Sequence, residues 1–116
     1  MSPLEQEDIN YGKSKVRAAF FKKAQIAPGG SETVTITDVE KNHTTKFPII
    51  GENFCYRFIL SDERVWDEAT GSIFGKVIKF CYPDGKTFTQ VTVKVTKLIS
   101  KPAKGSQYTV EQVKTT

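Results

Sequence analysis

Apolar and polar side chains alternate along most of this chain, a period-2 pattern that predicts strands in preference to helices. In residues 33–39, Val34 and Ile36 alternate with Thr33, Thr35 and Thr37, so one face can enter a core while the other meets water. Residues 91–99 repeat the pattern, with Val91, Val93 and Val95 inward and Thr92, Lys94 and Thr96 outward. Residues 54–60 are apolar on both faces except at Arg57, as in a central strand covered on both sides or one that exposes rings to a ligand. Residues 72–82 and 107–113 complete five predicted strands. Pro28-Gly29-Gly30, Pro83-Asp84-Gly85 and residues 101–105 combine a fixed φ with a permissive glycine and should stop the strands they follow. Residues 13–25 admit two readings: Ala18 to Ala24 include good helix formers, while Val16, Ala18 and Phe20 also alternate with Arg17 and Ala19. The extended reading is preferred. The pattern predicts an all-β fold, an antiparallel barrel or sandwich.

Composition narrows this further. With 116 residues, 38% hydrophobic and 26% charged, the chain has the makeup of one ordinary domain. The expected division is a polar tail over residues 1–12, a single β domain over 13–113 and a short tail over 114–116. No stretch approaches the roughly 20 apolar residues that span a bilayer, and the first residues are acidic where a secretory signal is basic and then apolar. A cytoplasmic protein without membrane contact is expected. Cys55 and Cys81 lie on neighbouring predicted strands, but reduced thiols buried as small apolar groups are the expectation, and no Cys/His quartet is present for zinc. Neither metal nor cofactor is expected.

Catalytic chemistry finds little to work with. His43 is the sole histidine and sits in a polar stretch, where a solvated loop residue is the simpler reading than a general base. Asp62, Glu63, Asp67 and Glu68 do not follow the alternating-ligand spacing of a calcium loop and read as a hydrophilic hairpin tip. Pro28-Gly29-Gly30 lacks the Lys-Ser/Thr of a phosphate-binding loop. The chain is expected not to be an enzyme.

Charge and aromatic content point elsewhere. The net charge of +4 is unevenly placed: residues 73–116 hold eight lysines against Asp84 and Glu111, whereas residues 61–72 are acidic. Such an excess attracts phosphate backbones by counterion release, without sequence preference. Basic residues interleave with rings through the middle of the chain: Tyr56, Arg57, Phe74, Lys76 and Lys79. Bases of single-stranded nucleic acid stack on rings while lysines follow the phosphates. Phe20, Phe58 and Phe80 are read as core. Trp66 either tucks back over the sheet or stands available for stacking. Lys94, Lys97, Lys101 and Lys104 would extend the phosphate track. Lys76 and Lys79 share a strand face only if a bulge at Gly75 resets the register.

This arrangement resembles the OB-fold single-stranded-DNA-binding proteins, especially the small ones of phages and of archaeal or viral replication systems. The resemblance covers roughly residues 14–113 and follows the order of elements. Residues 26–40 look like the turn and first long strand of such barrels, and residues 104–113 like the closing strand. It implies a five-stranded antiparallel barrel whose second and third strands form the binding face, flanked by the loops between strands 1 and 2 and between 4 and 5. Carried over, the face would use Tyr56, Arg57, Phe74, Lys76 and Lys79, with Trp66 at the hairpin tip and residues 41–46 and 101–104 at the flanks. The family places a helix between its third and fourth strands, where residues 81–90 leave about ten positions and Pro83-Asp84-Gly85 fits a tight hairpin. That hairpin would give a meander or sandwich. The expected function is sequence-tolerant single-stranded-DNA binding, with RNA the nearest rival ligand. A protein-interaction or virion-type structural module, prone to self-association, is the competing class.

Overall fold

The computed structural model describes residues 20–114. One five-stranded antiparallel sheet contains β1 (Ser31–Asn42), β2 (Cys55–Leu60), β3 (Val65–Glu68), β4 (Val91–Lys97) and β5 (Tyr108–Val113), and one helix, α1 (Gly71–Cys81), lies between β3 and β4. The order across the sheet is β3-β2-β1-β4-β5. The central strand, β1, pairs with β4 through its first half, from Ser31 opposite Thr96 to Ile36 opposite Val91. Its second half pairs with β2, and the register shifts between Ile36 and Asp38. A bulge at that point increases twist and lets one long strand serve both halves of the sheet. The edge strands β3 and β5 are not hydrogen-bonded to each other, so the sheet is not closed into a barrel.

Among the described residues the fold is therefore mostly β with one α-helix. The proposed tail 1–12, the first part of the segment 13–25, and Thr115 and Thr116 lie outside the described residues. The rest of that segment is neither a strand nor a regular α-helix: Phe20 forms a parallel bridge to Val65, and Lys23–Gln25 makes a single 3-10 turn.

The predicted strand over residues 72–82 is the helix α1, and this is a correction. Ile73, Val77 and Cys81 recur every fourth position and are 2%, 0% and 0% exposed, one stripe facing the core. Phe74 and Ile78 flank that stripe against the core, while Gly75, Lys76 and Lys79 face solvent. β-branched and aromatic residues suggested a strand, yet alternation would leave Lys79 on the same face as Ile73 and Val77. The Thr70 carbonyl opens the helix by accepting from the amides of Ile73 and Phe74, both at 3.0 Å. Pro83, which cannot donate, follows its last turn. The turn at Pro83-Asp84-Gly85, with Gly85 at φ 75°, thus joins a helix to β4 and closes no hairpin. The missing fifth strand is β3, drawn from the segment read as an acidic hairpin tip.

Alternation elsewhere translates directly into burial. Val34, Ile36, Val91, Val93 and Val95 are all in the core, joined by Phe58, Leu60 and Val110. The open side between β3 and β5 is filled by residues 20–26. The Phe21 amide donates to the Val65 carbonyl (2.9 Å), its ring packs edge-on against Trp66 (5.1 Å between centroids), and Ile26 is buried. On the other side Lys97 Nζ donates to the Ala24 carbonyl at 3.2 Å. Among the described residues, no helix is long and apolar enough to cross a membrane.

Gly75 separates the helical from the extended reading. A Cβ added there would meet nothing within 4 Å. Gly75→Ala is therefore expected to stabilise the protein by about 0.5–1 kcal/mol, the helix-interior difference between the two residues. An unchanged or lowered urea midpoint would contradict the helix.

Candidate nucleic-acid interface

Adjacent residues on a strand point to opposite faces, and β2 divides the candidate site accordingly. Arg57 faces outward. Its Nε donates to Asp67 Oδ1 at 2.8 Å and its Nη2 to Asp67 Oδ2 at 3.0 Å, a two-pronged pair across β2 and β3. This hydrogen bonding raises the guanidinium pKa beyond its ordinary value, against the pull of burial. The Arg57 guanidinium also lies 6.0 Å from the centre of the Phe20 ring. Asn42 Nδ2 donates to the same Asp67 at 3.2 Å, fixing the end of β1 to this face.

A groove of about 520 Å³ runs over this outer face, lined by Phe20, Lys46, Phe47, Arg57 and Asp67. A second depression of about 700 Å³ shares Phe20, Lys46 and Phe47 and continues past Lys22. Phe20 is 46% exposed and Phe47 79% exposed, so two rings border a channel furnished with cations. Each is held there by a different element: Phe20 by the segment paired to the β3 edge, Phe47 by the loop of residues 43–54 between β1 and β2.

The acidic stretch that should repel a phosphate track is largely neutralised from within. Asp62 is bonded by Arg64 at 2.7 Å, and Arg64 also reaches Glu32 at 2.8 Å. Although desolvation opposes it, hydrogen bonding to Arg64 holds the Asp62 carboxyl below its ordinary value. Asp67 is taken up by Arg57. Glu68, only 2% exposed, accepts from Lys23 Nζ at 2.7 and 2.8 Å, from Trp66 Nε1 at 3.1 Å and from the Thr70 amide at 3.1 Å. The exposed pairs contribute little to stability, and their effect here is to cancel charge.

The structure separates the residues that the sequence grouped together. Trp66 is 1% exposed, packed between Phe21 and Phe58, so it is no stacking platform and that expectation is corrected. Its indole N–H needs a buried acceptor, and Glu68 two residues on supplies it. Tyr56 lies on the face opposite Arg57, 4.9 Å from Phe74 on α1. Lys76 and Lys79 are exposed on α1, related by a helical turn, which removes the need for a bulge at Gly75. Lys94 is exposed on β4 opposite Thr33 and Glu111, away from β2 and β3. Lys97 is partly buried, its Nζ 5.9 Å from the centre of the Tyr108 ring. Lys101 and Lys104 are exposed in the loop of residues 98–107. Of the expected face only Arg57 lines the outer groove, joined by Lys46 from the expected flank of residues 41–46.

Phe20, Lys22 and Phe47 escape a reading of the sequence alone. Phe47 carries a signal, an aromatic between Lys46 and Pro48 at the end of the polar run 41–46. Phe20 carries none, since its position depends on a bridge to Val65, 45 residues away. His43 is an exposed loop residue, as expected. Cys55 and Cys81 are both buried and unpaired, and burial pushes the Cys81 thiol up to about 11, far from the thiolate that nucleophilic chemistry requires. Among the described residues, no group of three His, Cys, Asp or Glu side chains is placed to hold a metal ion. Comparison of the chain with protein-family models, with curated proteins and with solved structures returns no match.

Glu68→Ala removes the acceptor of four hydrogen bonds. The expected destabilisation is about 3 kcal/mol, the lower end for a broken buried ion pair because the Lys23 side chain is 22% exposed. Lys23→Met should cost at least as much, since it leaves the Glu68 carboxylate buried at 2% exposure without its counter-charge, whereas Glu68→Ala leaves a Lys23 that can reach water. Urea unfolding followed by the fluorescence of Trp66 measures both, and a Lys23→Met loss well below that of Glu68→Ala would show that the bonds from Trp66 and Thr70, and not the ion pair, carry the stabilisation.

Proposed function

We propose that this chain is a non-enzymatic, sequence-tolerant single-stranded-DNA-binding domain of the OB type. The observation that carries the reading is the outer groove of β2 and β3, where the exposed rings of Phe20 and Phe47 stand beside Arg57, Lys46 and Lys22 and the local carboxylates are internally paired. Bases stack on the rings while Lys22 and Lys46 follow the phosphates, Arg57 being held by Asp67, with no need to read base edges. The fold supports it too. The order β4-β1-β2-β3 is that of a Greek key, and an OB fold is a partly open five-stranded Greek-key barrel. With residues 72–82 helical, α1 occupies the place between third and fourth strands where the resemblance requires a helix. Lys101 and Lys104, on the β4–β5 loop, serve as outlying phosphate contacts, as does Lys97 near its base. A cytosolic setting suits the two unpaired thiols.

A protein-interaction or virion-type module is favoured by a different observation: Ile50 and Ile99, in the β1–β2 and β4–β5 loops, are 100% and 81% exposed. Aliphatic loop tips suit a protein partner better than a base. Self-association indifferent to DNA and to ionic strength would support that alternative.

The deciding experiment is fluorescence anisotropy with a labelled oligothymidylate at several salt concentrations, with the matching oligouridylate and a duplex as competitors. Binding that falls steeply with salt is expected. Phe20→Ala and Phe47→Ala should each weaken it by about 5- to 150-fold, equivalent to about 1–3 kcal/mol per stacked base. Undetectable binding at low salt overturns the proposal, and preference for the uridylate assigns the site to RNA.

A further inference from the structure

The β1–β2 hairpin has a second aromatic and basic surface, on the face away from Arg57. Ring centroids step from His43 to Phe54 (5.6 Å), from Phe54 to Tyr56 (5.6 Å) and from Tyr56 to Phe74 (4.9 Å), a continuous ladder from the β1–β2 loop to α1. Lys41 Nζ lies 4.5 Å over the Phe54 ring. Beside the ladder, between α1 and the ends of β1 and β2, a groove of about 650 Å³ is lined by Lys41, Tyr56, Lys79 and Tyr82 over a floor of Val39 and Ile78. Glu40 also lines it. Glu40 stands opposite Arg57 on β2, and its charge adds, after that of Asp67, to raising the Arg57 guanidinium pKa.

We infer that this groove is a second track for the same strand, which leaves the outer face of β2 and β3, turns round the β1–β2 loop and continues along α1. The inference rests on the single-strand reading above and adds a site to it. The loop is the physical link: Lys46 and Phe47 border the outer groove, and His43 and Phe54, at the two ends of the loop, begin the ladder. Half-buried rings offer their free faces and edges to bases, while Lys41 and Lys79 sit at the rim where phosphates would pass, with Lys76 exposed one helical turn before Lys79. A strand short enough to be satisfied by the outer groove never reaches this track. A longer one gains from it.

Two oligothymidylates of about 5 and about 16 nucleotides, spanning the usual site sizes of such folds, test this. In Lys41→Ala/Lys79→Ala, the affinity for the short strand should match that of the wild type. The long strand should bind more weakly, with its log–log salt slope reduced by about 1.4, that is about 0.7 for each phosphate no longer neutralised. Lys79→Glu alone should weaken binding of the long strand more than Lys79→Ala does. Phe20→Ala/Phe47→Ala should weaken both lengths. If the long strand binds the double lysine variant with unchanged affinity and slope, the second track is overturned while the outer groove stands; that result would leave the surface to a protein partner. If the wild type binds neither length, the single-strand reading falls and the second track with it.

Discussion

The Glu68 carboxylate ties together three parts of the molecule that are separate along the chain or differ in structure. Through Lys23 it fastens the segment before β1 along the edge of β3. Through Trp66 it satisfies the one polar atom of the largest core side chain. Through the Thr70 amide it fixes the backbone from which α1 departs. An unpaired charge at this depth would be costly, so all three partners must be in place together once the domain is folded. The sheet edge is thereby covered, with a single parallel bridge from Phe20 to Val65, which also limits its exposure as a template for other chains.

That arrangement determines what reaches the surface. Phe20 is exposed because Phe21 and Lys23 are held inside, and it borders the groove over Arg57 for the same reason. The acidic segment changes meaning in the same way: the carboxylates of Asp62, Asp67 and Glu68 are partners of Arg64, Arg57 and Lys23 before they are features of an electrostatic surface. What remains open to a polyanion is a pair of rings with Lys22 and Lys46 beside them. The parity of β2 then distributes the other aromatics, sending Tyr56 toward α1 and Arg57 toward the outer groove, so two neighbouring residues serve two surfaces.

The alternating strands were legible because their burial depends only on local order. Valines at every second position in β4 can be satisfied by any core on one side, and the same holds for Val34 and Ile36. Residues 72–82 misled because Ile, Val and Phe favour strands by propensity, whereas their four-residue spacing favours a helix, and spacing prevailed once a core lay along one side. Residues 65–68 misled in the opposite sense, since Asp67 and Glu68 look solvated until Arg57 and Lys23 are brought to them.

Residue order alone dictates an antiparallel sheet with valine and isoleucine stripes inside, an excess of lysine, and rings interleaved with cations. Which of those rings are interior and which are exposed was settled by packing in three dimensions. A side chain's exposure is set by what lies over it, and for Trp66 and Phe20 the deciding neighbours, Phe21 and Val65, come from segments more than 40 positions away along the chain. Local pattern carries no information about such neighbours. The folded sheet supplies them.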